Sequence, residues 1–235
     1  MYYLTYASDA LSMFLYMLGI GIMIGSLVLQ VGVNSTFRRY NNVRNRRGIT
    51  GAQAAEMVLR KNGVYDCRIE MIQGQLTDHY DPRANVIRLS EAVYKSASVA
   101  AVGVAAHEAG HAVQYANEYG PIRLRSKILP AAQLGTQFGW ILVVLGFALS
   151  FLSLVYVGIV LFAATTLFHL VTLPVELNAS RRALEAIGEP GMLEPDEKAG
   201  ARKVLTMAAL TYVAALAASV VQLLQFIVRA NNRRR

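Results

Sequence analysis

Residues Ser98–Gln114 read SVAAVGVAAHEAGHAVQ, a run of small apolar residues that contains two histidines and one glutamate. The run favours a largely buried helix, because Glu108 is its only charged side chain. On a helix, His107 and His111 share one face and lie about 6 Å apart along the axis, so both imidazoles can reach one metal ion. Glu108 is displaced towards the water that such an ion would hold. The stretch therefore predicts a helix that carries a water-activating zinc site.

A surface helix with a histidine pair that arose by chance is the alternative interpretation, since the motif fixes only three letters in five residues. The apolar surroundings argue against it. Two histidines and a carboxylate inside a buried helix need a partner that offsets the cost of desolvating them. A zinc ion would be such a partner.

The composition is typical of a membrane protein, because 54% of the residues are apolar and only 16% are charged. Three stretches have no charged side chain: Leu11–Val33, Ile128–Val175 and Val204–Val228. A membrane-spanning helix needs about 20 apolar residues. The middle stretch has 48 residues, which suits two helices joined by a turn at Ser150–Ser153. The sequence therefore predicts an α-helical membrane protein with about four transmembrane helices, the first of them a retained anchor rather than a secretory signal.

The net charge of +8 indicates a membrane surface rather than nucleic acid, because the basic side chains lie beside the predicted spans. They are Arg38, Arg39, Arg44, Arg46 and Arg47 after the first span, Arg123, Arg125 and Lys127 before the second, and Arg181 and Arg182 after the third. By the positive-inside rule these clusters are cytoplasmic. If the fourth span crosses the membrane, the arginines at 229 and 233–235 lie outside the cytoplasm, which conflicts with the same rule. Either three clusters outweigh one, which we favour, or the last helix does not cross.

The spans divide the chain into five predicted segments. These are an N-terminal transmembrane anchor (1–33), a small α+β domain that carries the two histidines (34–127), a transmembrane hairpin (128–175), a helix and linker that begin at Glu176 (176–203), and a C-terminal transmembrane helix with a basic tail (204–235). Cys67 is the only cysteine, so no internal disulfide can form.

The α+β segment contains clear signals for where helices and strands begin and end. Thr50 and Gln53 predict a capping box at the start of a helix, and Gly63 is placed to end that helix. Three β-prone runs follow, Cys67–Ile72, Gln75–Tyr80 and Asn85–Leu89, and they predict a small antiparallel sheet. Ser90 could then start the helical stretch that carries both histidines, with Gly120 and Pro121 closing it.

A catalytic zinc usually has three protein ligands, so two histidines leave one ligand to find. Glu176 is the best placed carboxylate, because it follows Pro174 in an apolar context where an unpaired charge is costly. The predicted transmembrane hairpin would return it to the level of His111. Glu176 could instead be an interfacial anchor near Arg181 or Arg182. His169 lies seven residues before Glu176, about 10 Å along a straight helix, so a hydrogen bond inside the bundle is the favoured interpretation of its role.

His107-Glu-Ala-Gly-His111, followed across a transmembrane hairpin by Glu176-Leu-Asn-Ala-Ser180, resembles the membrane-embedded gluzincin peptidases, specifically the YugP-type neutral zinc metallopeptidases of bacteria. The stretches Leu76–Pro82, Arg88–Ser90 and Leu124–Ser126 are similar to that family too. The HtpX-like membrane proteases are more distant. Their pattern after the third ligand is usually Glu-aromatic-X-Ala-Asp, whereas this chain has Leu177 and Ser180 there. Ser180 would then stand in for an aspartate that supports a ligand histidine.

The resemblance implies a zincin-like catalytic domain with one Zn²⁺, held by His107, His111 and Glu176, and with Glu108 as general base. It implies a zinc metallopeptidase that cuts membrane or membrane-proximal polypeptides. It also implies a multi-pass protein of the bacterial cytoplasmic membrane, and the basic clusters beside the spans place the active site towards the cytoplasm. His79 is a candidate donor to the reacting carbonyl oxygen, because peptidases of this type hold substrate as an added strand. A turn histidine beside Asp78 and Asp81 is the alternative.

Three other functions fit the sequence less well. A protease that cuts inside spans would want a full span around the two histidines, and Lys95 and Glu118 flank a shorter apolar run. An idle scaffold with a structural zinc would have no use for Glu108. A metal transporter would need several ionisable residues within its spans, and His169 alone gives little support for that function. The expected partners are a polypeptide substrate and the lipid bilayer, without nucleic acid.

Overall fold

A computed structural model describes residues 2–74 and 76–234, with side chains for 10–74 and 76–233. The helices are α1 (Tyr2–Asn41), α2 (Gly51–Lys61), α3 (Glu91–Tyr94), α4 (Val99–Ala116), α5 (Gly120–Leu134), α6 (Trp140–Ala148), α7 (Leu152–Ile187) and α8 (Pro195–Arg234), and a π-helical turn, Gly135–Gly139, joins α5 to α6. The strands are β1 (Arg68–Ile72), β2 (His79–Asp81) and β3 (Val86–Ser90). Gln75, where the second β-prone run was predicted to begin, and the tail residue Arg235 lie outside the described residues.

Four segments of the described chain are long and apolar enough to cross a membrane. They are Ala10–Asn41, Gly120–Ala148, Leu152–Ile187 and Pro195–Arg233. The described part of the chain is mostly helical and carries one small sheet. The predicted fold class, a helical membrane protein with about four spans and a small α+β domain, is confirmed.

The chain forms two compact units. The first comprises residues 1–28, 124–173 and 211–235. Within it, α6 and α7 form the predicted hairpin, whose turn includes Ser150 in a left-handed conformation (φ 55°). The two arms pack closely, since a Cβ on Gly158 would lie 2.7 Å from the carbonyl oxygen of Gly139.

The second unit comprises residues 29–123 and 174–210 and has α4 at its centre. Most side chains of α4 are buried, which agrees with its run of small apolar residues. α2 packs on it, and the predicted capping box is present, with Thr50 Oγ1 accepting from Gln53 N and Gln53 Oε1 accepting from Thr50 N. Gly63 (φ 73°) follows the end of α2 as predicted, in a conformation that suits glycine.

The sheet is mixed, so the prediction of a purely antiparallel sheet is wrong. Its order is β1-β3-β2, with β2 antiparallel to β3 and β1 parallel to β3. The tight turn after Asp81 makes β2 and β3 a hairpin, whereas the loop before β2 passes over the end of β3. Asp78 holds that loop in place, because its carboxylate accepts hydrogen bonds from Ser90 N (2.7 Å) and Ser90 Oγ (3.0 Å). β3 therefore lies between two strands that precede it in the chain.

The helical stretch predicted to run from Ser90 to Gly120 is broken between α3 and α4. The backbones of Ser96, Ala97 and Val99 bond to residues 43–51: Gly51 N donates to Ser96 O, Asn45 N to Ala97 O, and Val99 N to Val43 O. Ser98 then caps α4 by accepting from Ala101 N. Gly120 begins α5 rather than ending α4, which is already complete at Ala116.

Candidate metal centre

Three potential metal ligands meet inside the second unit. α4 supplies His107 and His111, and α7 supplies Glu176. The Oε2 atom of Glu176 lies 3.2 Å from His107 Nε2 and 3.4 Å from His111 Nε2. One ligand atom from each of the three residues lies within 4.8 Å of the other two. The structure therefore brings together the three residues that the sequence analysis selected.

This donor set fits a zinc ion. Two imidazole nitrogens and one carboxylate oxygen form a common catalytic zinc set, which leaves a fourth position for water or substrate. Glu176 is 2% exposed, and both imidazoles turn Nε2 towards its carboxylate. A cation at this point would compensate for the desolvation of that carboxylate.

The close approach of α4 and α7 makes this convergence possible. A Cβ on Gly110 would lie 2.9 Å from the carbonyl oxygen of Ala179, closer than real Cβ atoms come to a carbonyl. Glycine is therefore needed between the two histidines so that the helix of Glu176 can lie against them. Ala179 and Ala183 on α7 are fully buried and keep the facing surface small.

Glu108 lies beside this group but is not part of it. Its Oε2 accepts a hydrogen bond from the backbone N–H of Tyr80 on β2 (3.0 Å). The pKa of the Glu108 carboxyl is raised to about 7, mainly by burial; the charge of His107 opposes this rise, and the charge of Glu176 adds to it. Because β2 is bonded to β3 on one side only, the Tyr80 N–H on its other side points at α4. The sheet edge and the α4 carboxyl are thus linked directly.

Each histidine has a second hydrogen-bond partner behind its ring. Ser180 Oγ lies 3.1 Å from His107 Nδ1, and Gln114 Oε1 lies 3.0 Å from His111 Nδ1. Ligand histidines usually have such partners, which orient the ring. Sequence reasoning selected Ser180 but missed Gln114. The available signal was a single amide inside an apolar helix, three residues after His111 and therefore on the same face.

Comparisons with known proteins agree with this geometry. A family model described as "Putative neutral zinc metallopeptidase" matches residues 15–231. The chain belongs to this family. It is also 46% identical over 198 residues, 84% of this chain and 88% of the relative, to "Putative membrane protease YugP" of Bacillus subtilis (strain 168). No solved structure matches the chain. The predicted membership of the YugP-type metallopeptidases is confirmed. The same matches show that the chain belongs to a zinc peptidase family and that it is a membrane protein.

In this family member, His79 lies on β2 next to Tyr80 but outside the group of ligand atoms. Its ring is exposed, and Nδ1 lies 2.7 Å from the carbonyl oxygen of Thr77, which can only accept. Nδ1 therefore carries a proton, and Nε2 of the neutral ring is an acceptor. A donor role for His79 requires the doubly protonated ring, and that role stays a prediction.

His169 also lies outside the group. α7 is continuous through Pro174, so the sharp break that would bring His169 near the site is absent from this described helix. The hydrogen bond expected for its ring is not found among the described residues, and the ring instead meets Phe168 at 6.0 Å, edge to face. His169 is therefore a packing residue of the first unit.

Proposed function

We propose that the chain is a membrane-bound zinc endopeptidase that hydrolyses peptide bonds of membrane or membrane-proximal proteins. His107, His111 and Glu176 hold one zinc ion in this proposal, and Glu108 is the general base. Its main support is that three ligand atoms converge within 4.8 Å beside a buried carboxyl group that is not among them. A structural zinc normally uses four protein ligands, whereas this group within the described chain has three.

Glu108 is suited to moving a proton. Its Oε2 is held by Tyr80 N, so Oε1 is the oxygen available for the proton taken from water and returned to the leaving amine. A pKa near 7 allows both steps near neutral pH, and a cation held by the adjacent ligands lowers that pKa. When bound, zinc would lower the pKa of a coordinated water to about 7 and polarise the substrate carbonyl.

An extended polypeptide is the substrate form that the site favours. β2 is the edge strand of the sheet in the described part of the chain, and its outer edge faces Glu108, because Tyr80 N–H donates to that carboxylate. A strand added along this edge would pass beside the general base. His79, the next residue on β2, is in this proposal a donor to the reacting carbonyl oxygen when its ring carries both protons.

The location of α4 favours cleavage outside the spans. α4 has 18 residues and is not among the candidate spans of the described chain. The second unit that surrounds it carries the basic residues Arg38, Arg39, Arg44, Arg46 and Arg47. By the positive-inside rule this unit lies in the cytoplasm, so the site would open at the cytoplasmic face of a bacterial membrane.

The test is the purified protein, with its zinc quantified, acting on an unfolded protein substrate. Glu108→Gln keeps the size of the side chain and removes the base. We expect about one zinc per chain in both proteins and a cleavage rate about 10²–10⁴-fold lower in the variant, the usual contribution of a general base. Glu56→Gln, on the exposed face of α2, is the matched control and should cleave like wild type. A Glu108→Gln protein that keeps its zinc and cleaves at the wild-type rate would contradict the mechanism.

A further inference from the structure

We infer that Gln114 is a positioning residue that fixes His111 in the one tautomer able to bind metal through Nε2. The inference rests on the proposed zinc site for its significance, but the hydrogen bonds that carry it belong to the protein alone. Its parts are the side chains of His111, Gln114, Asn178 and Arg182 and the backbone carbonyl of Val175.

The Gln114 amide is fully buried and uses both of its ends. Nε2 donates to the carbonyl oxygen of Val175 (2.8 Å) and to Asn178 Oδ1 (2.9 Å). Oε1 lies 3.0 Å from His111 Nδ1. Two of these partners are on α7, so one amide connects a histidine on α4 to the turn of α7 that carries Glu176.

The orientation of the Gln114 amide is fixed by one group that can only accept a hydrogen bond and another that can only donate one. A backbone carbonyl can only accept, so the Gln114 atom that faces Val175 O must be the nitrogen. Arg182 Nε lies 2.9 Å from Asn178 Oδ1, and because a guanidinium can only donate, the Asn178 atom must be its oxygen. That oxygen in turn requires a donor from Gln114. Two independent partners therefore place Nε2 on the α7 side and Oε1 on the His111 side.

The tautomer of His111 follows from that orientation. Oε1 can only accept, so His111 Nδ1 must carry the proton. In a neutral imidazole the lone pair is then on Nε2, the atom that lies 3.4 Å from Glu176 Oε2. The chain of bonds from Arg182 through Asn178 and Gln114 thus prepares His111 to bind a metal at the point where Glu176 arrives.

His107 is held in a different way. Its Nδ1 faces the hydroxyl of Ser180, which can donate or accept, so this contact does not select a tautomer. Of the two candidate ligand histidines, His111 is thus the one whose state the surrounding protein imposes. Gln114 could instead only link α4 to α7, and the test must separate the two roles.

Two substitutions separate them. Gln114→Met fills the space and removes both the acceptor for His111 and the donors to α7. Gln114→Glu keeps an oxygen for His111 Nδ1 and removes the amide donors. If Gln114 fixes the tautomer, zinc affinity falls about 10–100-fold in Gln114→Met, the usual cost of losing such a partner, and Gln114→Glu keeps most of the affinity. If Gln114 only links the helices, both variants lose affinity alike, which would overturn the inference. Gln222→Met, in the other unit, is the matched control and should bind zinc like wild type.

The tautomer can be measured directly, because the chain has only four histidines. In zinc-loaded protein with ¹⁵N-labelled histidine, we expect His111 bound through Nε2, with a proton on Nδ1 that exchanges slowly with water. Coordination through Nδ1, or an Nδ1 proton that exchanges as fast as that of an exposed histidine, would overturn the inference. If Gln114→Met does not fold, Asn178→Ala removes one of the two orienting partners and should speed that exchange.

Failure of the proposed function would be seen separately. Wild-type protein that binds no zinc would refute the zinc site. The exchange rate of the His111 Nδ1 proton in that metal-free protein would still test whether Gln114 fixes the tautomer. Wild-type protein that binds zinc and has a rapidly exchanging Nδ1 proton would refute only the role of Gln114.

Discussion

At the scale of single residues, the chemistry depends on a few polar side chains inside an apolar unit. Glu176 is almost completely buried, and its carboxylate faces the imidazoles of His107 and His111. Arg181, which could have paired with it at the interface, is on the exposed side of α7 and lies 3.9 Å from Glu185. The structure therefore favours the ligand interpretation of Glu176 over the interfacial one.

Glu176→Ala should bind little or no zinc. Loss of a supporting partner already costs about 10–100-fold in metal affinity, so loss of a ligand should cost more. The measurement is zinc per chain after purification, together with a chelator competition. Glu185→Ala, also on α7 but exposed, is the control and should keep its zinc. Full zinc occupancy in Glu176→Ala would mean that the third ligand is another residue.

At the scale of secondary-structure elements, the contact between α4 and α7 decides the geometry of the site. Gly110 on α4 and Ala179 on α7 allow the backbones to approach, and the Gln114 amide bonds across the same contact. The β2 edge completes the site from the other side through Tyr80 N. The site is therefore assembled from two helices and a strand that are far apart in the chain.

Gly110→Ala should destabilise the protein and weaken zinc binding together. The added methyl would meet the Ala179 carbonyl at 2.9 Å, and overpacking of this kind costs about 1–3 kcal/mol. Thermal unfolding of the metal-free protein in detergent and zinc affinity are the two measurements. Gly120→Ala is the control, because a Cβ there meets nothing within 4 Å. Wild-type stability and affinity in Gly110→Ala would show that the helix contact is not tight.

At the scale of the whole molecule, the membrane topology depends on the last helix. α8 is continuous from Pro195 to Arg234. Within the first unit, Arg233 donates to the carbonyl oxygen of Phe147 (2.6 Å), and Arg229 lies over the Phe147 ring at 5.3 Å. Phe147 is next to the turn between α6 and α7. The basic tail therefore lies at the same end of the first unit as that turn, which favours a last helix that crosses.

A reporter fused after Arg235 should be active outside the cytoplasm, because the basic tail lies at the same end of the first unit as the uncharged turn, which the positive-inside rule places outside. Cysteines introduced at Gln73 and Glu118, both exposed in the second unit, should be labelled only from the cytoplasmic side. Cys67 must first be replaced by serine, although burial already raises the pKa of its thiol to about 11 and makes it a poor nucleophile. A cytoplasmic reporter would mean that α8 does not cross.

The sequence by itself determined the features that depend on local pattern. The apolar runs gave the four candidate spans, because a spanning helix must be long and uncharged. The capping box at Thr50, the glycine after α2 and the histidine pair at 107 and 111 were also predictable, since each depends on residues within a few positions of one another.

Only the tertiary structure decided what depends on residues distant in the chain. The parallel pairing of β1 with β3, the break before Ser98 and the amide link from Gln114 to Val175 each join segments that sequence pattern treats separately. Glu176 was predicted from its apolar context, but the distances to both imidazoles come from the packing of α4 against α7. Local patterns specify which elements form, whereas the directions of hydrogen bonds and the meeting of side chains are set by packing between elements.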